Sequence, residues 1–379
     1  MFRSEYIVGR RADWVWFLGF PYAAIMVALV CQHWLPLVAL ASVGLWITVP
    51  HHFATWIRTY GLQEDWERWR WPLIFSPFVI VGATSLGLFV APATLLLLTL
   101  LWDHQHSLMQ QHGLSRIYDF KARTGGPSTG RYDLLLHCFL YGNLALTAPL
   151  FVRLWGPSLY RWQIPDTTEI LARLQMVSWG ALAIYLGFYV WHVVSSVRAG
   201  YRVNPLKYFF IFSSYFLWYF TSWQTDSLLV YGIAHRLMHG AQYLVIVNSY
   251  LGHKLEKSSR IPSAEGAVEA KSATVWTFCA GWLKPLMSSH RTLTFLVMGV
   301  MYMLVYQLVL LRPLDELGFG VIHFMRIGPQ PRPGMNDATE AGAYDLFAMT
   351  MIQSIPIIHY FYDSFIWKVR DSRIQQGLE

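Results

Sequence analysis

Apolar residues along this chain gather into runs of about 20, each closed by a charge, a proline or a glycine. At roughly 1.5 Å of rise per residue, a helix of that length crosses the roughly 30 Å hydrocarbon core of a bilayer. Ten runs qualify, near Trp14–Trp34, Pro36–Ile57, Pro72–Ala91, Ala93–His112, Asp133–Arg153, Arg173–Val197, Leu206–Ser222, Ser227–Tyr250, Thr292–Leu311 and Tyr344–Trp367. The pattern predicts an all-α fold, a polytopic integral membrane helix bundle of about ten transmembrane helices in one domain, residues 1–379. The first run lacks a small-residue cleavage site and continues into the second, so it reads as a retained helix and not a signal peptide. Three stretches stand apart. Residues 253–272, with the polar segment EKSSRIPSAEGAVEAK, read as a flexible cytoplasmic loop. Residues 274–287 read as an interfacial helix and 313–342 as an outer loop.

Composition agrees with this layout. Hydrophobic residues make up 55% of the chain and charged residues 13%, about half the charged share of a soluble domain. That balance excludes most soluble enzymes, coiled coils and disordered proteins. The net charge of +7 is explained by position. With the N-terminus inside, 22 of the 29 Lys and Arg residues fall in cytoplasmic segments, six in outer segments and Arg236 alone within a span. Basic residues collect on the cytoplasmic side of membrane proteins, so both termini are expected there, in a bacterial inner membrane, and nucleic acid is not an expected partner. The three cysteines, Cys31, Cys138 and Cys279, lie apart in apolar runs with no pairing or metal spacing.

The 14 histidines change the picture, because an ionisable group at membrane depth is costly unless it has a partner. His51, His52, His104, His192, His235, His239 and His359 all fall on the even-numbered runs, mostly toward their cytoplasmic ends. His235 and His239 are i, i+4, with Gln242 one turn further, so the three share a helical face that can offer two imidazoles to one metal. His359 and Asp363 repeat the spacing as a ligand with its carboxylate orienter, or as two ligands, and Asp103 is a second candidate orienter. His104 shares a face with Gln111, whereas His106 and His112 point elsewhere on a regular helix. Neighbours on a helix lie about 100° apart, so only one of His51 and His52 can face the centre. His33, His137, His253, His290 and His323 read as hydrogen-bonded structural residues.

Imidazoles and carboxylates without thiolate suit iron, zinc or copper. The number of histidines exceeds the need of one tetrahedral zinc, which favours one iron with supporting histidines or a two-metal centre. A site within a bilayer is most easily reached by dioxygen and lipids. The expected function is therefore a non-haem iron membrane oxygenase acting on a lipophilic substrate such as a carotenoid, fatty acyl or hydrocarbon chain, with an electron donor as a further partner.

Three short elements carry a family resemblance: VPHH at Val49–His52, HRLMH at His235–His239 and PIIHYFYD at Pro356–Asp363. In that order they resemble the Pro-His, His-x-x-x-His and Pro-His-x-x-x-Asp elements of the bacterial Brp/Blh carotenoid dioxygenases. The resemblance implies a polytopic membrane protein that binds one iron through four histidines and cleaves β-carotene to retinal. It implies His51 or His52, His104 or His106, His235 and His239 as ligands, with His359 and Asp363 in the last element. Phe53–Trp56 replaces the family's Gly-Ala-Leu-Asp, and the histidine-rich DHQHSLMQQHG is an addition. The abundance of histidine also resembles, more loosely, the membrane di-iron desaturases and hydroxylases. Three other classes compete. A haem-binding or quinone-reactive electron carrier would use His192 opposite His51 or His104. A transporter would relay protons through the histidines, Arg236, Asp226 and Asp363. A zinc-dependent lipid hydrolase would use Ser195 near His192.

Overall fold

The computed structural model describes residues 2–35, 37–161, 163–260, 291–306, 309–310 and 343–378. These residues are helical almost throughout, and extended pairing among them is confined to one parallel bridge, Phe2 with Val203. In chain order the helices are α1 (Arg10–Trp34, with a π-helical stretch over Asp13–Gly19), α2 (Leu37–Gly61), α3 (Gln63–Val90), α4 (Pro92–Ala122) and α5 (Thr129–Thr147). There follow α6 (Pro149–Arg161), α7 (Thr167–Arg198), α8 (Pro205–Gln224), α9 (Leu228–Arg260), α10 (Arg291–Tyr306), α11 (Ala343–Ile366) and α12 (Ser372–Leu378).

Each of the ten predicted runs is helical where it is described, with two departures. The fifth run is broken: α5 and α6 meet at 57° because Pro149 has no N–H to continue the helix. The loop expected from residue 253 starts later, since α9 carries on to Arg260 through Lys254, Leu255 and Glu256, all good helix formers. The rest of that loop, the interfacial helix 274–287 and the outer loop 313–342 lie outside the described residues, as do Cys279, His290 and His323.

Among the described helices α1, α3 and α7 are long and apolar enough to cross a membrane, and a fourth span exists if α5 and α6 count as one bent element. Their outer faces suit that setting. Phe78 and Phe89 on α3 are 75% and 81% exposed, and Met176 on α7 is 70% exposed. Apolar surface of this extent would associate in water and is satisfied by lipid tails. Helices such as α4 and α9 are equally long but carry polar residues, which lower their apolar content.

The chain divides into two compact units. The first comprises residues 1–34 and 107–239, and the second 35–106 and 240–379. In the first, α1 lies on α8, with Phe17 near Phe210 and Tyr22 hydrogen-bonded to Ser213 at 3.3 Å. Asp13 accepts from the backbone N–H groups of Ile7, Val8 and Gly9, which ties the N-terminal segment down. Asn204 caps α8 by accepting from Leu206 N–H, with Pro205 at the first helical position. One turn inward, Lys207 is buried and donates to Asp119 at 2.9 Å and to Asp133 at 3.2 Å. Arg116 reaches the same two carboxylates, and Tyr189 donates to Asp133 at 2.7 Å. Two cations thus face two carboxylates, and the hydrogen bonds a buried charge requires are supplied.

In the second unit α2 lies against α10, and α11 against α3 and α2. Phe53, Ala54, Ile57, Tyr243, Val247 and Phe295 form one apolar cluster, and Leu73, Ile358 and Tyr362 another. Arg58 is fully buried between the rings of Tyr250 and Trp367, 3.7 Å from Asp65, and donates to Ile366 C=O. The short α12 seats Gly377 on the Tyr250 ring, where an added Cβ would lie 2.2 Å from a ring carbon. At the start of that segment the Arg68 guanidinium pairs with Asp371 and holds its carboxyl below the ordinary carboxylate value.

Candidate metal centre

Two of the helices that build the site carry an internal proline beside their histidine. Pro50 precedes His51 in α2, and Pro356 lies three residues before His359 in α11. Proline leaves an earlier carbonyl without its helical donor and bends the helix locally. His51, His52 and His359 are each at most 3% exposed.

One ring nitrogen from each of His51, His106, His239 and His359 lies within 4.8 Å of the others, and all four side chains are buried. His51, His106 and His359 belong to the second unit. The ring of His359 is 4.3 Å from that of His51 and 4.8 Å from that of His106, near edge-on in both cases. Ligands on opposite sides of one ion at about 2.1 Å each are roughly 4.2 Å apart, so a small side-chain adjustment would close this set on a single ion. Four imidazoles without thiolate fit a borderline transition metal, and the donor set does not choose among iron, zinc and copper.

A second polar layer lies one helical turn further along the same helices. Thr55 follows His51 by four residues, Tyr243 follows His239, and Asp363 follows His359. These three meet. Thr55 Oγ1 is 2.6 Å from Tyr243 Oη and 3.3 Å from Asp363 Oδ1, and Tyr243 donates to Asp363 Oδ1 at 2.7 Å. Thr55 Oγ1 also lies 2.7 Å from His359 Nδ1. The other carboxylate oxygen, Asp363 Oδ2, stands 3.8 Å from His359 Nε2 and 3.9 Å from His106 Nε2.

The remaining sequence candidates are placed elsewhere. His52 is buried beside the group, its ring 5.2 Å from His51 and 5.0 Å from His359, outside the four. His104 is half-buried, with Nδ1 2.6 Å from Leu100 C=O of its own helix. His235, although i, i+4 from His239, has both ring nitrogens engaged in the first unit, Nδ1 by Trp218 at 2.8 Å and Nε2 by Ser107 at 3.2 Å. His192, also in the first unit, is stacked on Tyr132 with ring centroids 3.9 Å apart. Asp103 accepts from Tyr360 Oη at 2.9 Å, and the Tyr360 ring stacks on His106.

His106 therefore stands where the helical-face argument favoured His104. The i, i+3 spacing of Asp103 and His106 was the available signal, since both address Tyr360. Thr55 and Tyr243 were legible only as i+4 companions of candidate ligands. Comparison with protein-family models, curated proteins and solved structures finds no match.

Proposed function

We propose that this protein is a membrane-embedded non-haem iron oxygenase that acts with dioxygen on a lipophilic substrate such as a carotenoid, fatty acyl or hydrocarbon chain. The observation that carries the reading is the buried group of His51, His106, His239 and His359. Four buried imidazoles fit a transition ion, and a buried site among helices of this apolar character suits an apolar substrate and dioxygen. The short elements shared with the Brp/Blh carotenoid dioxygenases each contribute one member, His51, His239 and His359.

The same reading carries the membrane layout: ten spans with both termini cytoplasmic, in a bacterial inner membrane. The sorting of Lys and Arg supports it. So do α1, α3 and α7, each long and apolar enough to cross a membrane.

The chemistry that bound iron supplies is the activation of dioxygen. The chain supplies the rest. His51, His106, His239 and His359 hold the ion, and Asp363 places a carboxylate beside two of the four rings. Tyr360, held by Asp103, stacks on His106 and limits its rotation. All four imidazoles are buried, which limits the access of bulk water to them.

Elemental analysis with an absorption spectrum of the detergent-purified protein tests the reading. Stoichiometric iron without a Soret band is expected, together with oxygen uptake in the presence of the substrate classes named and loss of that uptake in His359→Ala. A Soret band, or the absence of any bound transition metal after reconstitution, refutes it.

A further inference from the structure

We infer that Thr55, Tyr243 and Asp363 form a one-way hydrogen-bond relay that fixes His359 in the tautomer able to ligate a metal through Nε2. The inference rests on the four-histidine reading above and assigns positioning roles to Thr55 and Tyr243.

The direction follows from counting protons. Asp363 as a carboxylate can only accept, Thr55 and Tyr243 have one hydroxyl proton each, and a neutral imidazole has one N–H. Tyr243 gives its proton to Asp363 Oδ1 at 2.7 Å. The Thr55–Tyr243 contact of 2.6 Å then needs the Thr55 proton. With that proton spent, the 2.7 Å contact between Thr55 Oγ1 and His359 Nδ1 can be a hydrogen bond only if Nδ1–H is the donor. The alternative use of the Thr55 proton, toward Asp363 Oδ1 at 3.3 Å, leads to the same result. Either way Nδ1 carries the ring proton and Nε2 keeps its lone pair.

Trp367 strengthens the direction by donating to Tyr243 Oη at 3.3 Å, so the phenol oxygen accepts from Thr55 and Trp367 and gives its proton to Asp363. Metal-binding histidines ordinarily hold their second nitrogen on a carboxylate or carbonyl. Here the carboxylate is one helical turn from its histidine, and two hydroxyls bridge the gap. Thr55 is fully buried, so no water replaces its hydroxyl once removed.

The test uses the full-length protein in detergent, stripped with a chelator and titrated with Co²⁺, whose visible absorption reports imidazole ligation. Thr55→Val keeps the side-chain shape and should weaken binding by roughly 10- to 100-fold. Thr55→Ser should restore it, and Tyr243→Phe, which leaves Thr55 its contact with Asp363, should lose less than Thr55→Val. In a His359→Ala background, Thr55→Val should cause no further loss, because its target is gone. Unchanged Co²⁺ affinity in Thr55→Val overturns the relay and leaves the four-histidine centre standing. Equal losses in Thr55→Val and Thr55→Ser, or a further loss in the His359→Ala background, trace the effect to packing and overturn it as well. Failure of the parent protein to bind Co²⁺ overturns the metal centre, and the relay with it.

Discussion

The two units bury polar groups in opposite ways. In the first, Lys207 and Arg116 meet Asp119 and Asp133, two charges of each sign within hydrogen-bonding distance. In the second, the imidazoles of His51, His106 and His359 lie together, with a single carboxylate near two of them. The ion cluster is complete in itself, since each cation has its anion and Tyr189 adds a hydrogen bond. The imidazole group brings together donors of the same kind, an arrangement that an added electrophile would unify. A self-compensated cluster holds a fold together, whereas a set of like donors points to something it binds.

Separating the two roles gives the largest expected effect. Lys207→Met strands two buried carboxylates on one remaining cation and is expected to destabilise the protein by about 3–5 kcal/mol in a denaturation series, without changing Co²⁺ affinity in the folded fraction. A variant as stable as the parent would break the comparison on its structural side. On the other side, His239→Ala is expected to weaken Co²⁺ binding by at least about 100-fold, roughly 2.8 kcal/mol, while His235→Ala binds as the parent does. The two residues lie one turn apart on one helix, and equal losses from both would show that His235 is a ligand as well.

Smaller effects sharpen how the second unit is closed. Gly377→Ala places a Cβ against the Tyr250 ring and should cost about 1–3 kcal/mol in thermal stability, with metal affinity unchanged. The smallest effect concerns Asp371. Because Arg68 holds its folded pKa below the ordinary value, the pair's contribution is present above about pH 4 and is lost as pH falls through the lowered value. Asp371→Asn should reduce stability by under about 1 kcal/mol at neutral pH, and the difference from the parent should shrink in acid and in high salt.

Much of this was legible in residue order. Period and length place the helices, because a buried or lipid-facing helix must be apolar over a fixed number of turns. The break at Pro149 was not read there: the fifth run was carried through to Arg153, although the missing N–H accounts for the bend. His51, His239 and His359 stood out as buried imidazoles at helical spacing. His106 stood there only as the alternative to His104 that the family resemblance implied, because a helical wheel gives a residue's angle but not the neighbour toward which that angle points. His235 misled for the converse reason: its i, i+4 spacing with His239 is the spacing of a ligand pair, yet Trp218 and Ser107 take its nitrogens.

The sequence by itself determined the helical character of the described residues, the approximate position of most of their helices and the candidates for the chemistry. Those properties depend on neighbours within a few turns, where helical geometry is fixed. Only the tertiary structure decided which histidines share a centre and that Thr55 and Tyr243 stand between His359 and Asp363. Thr55 and His359 are 304 residues apart in the chain, and their 2.7 Å contact exists only because α2 and α11 are brought side by side by packing.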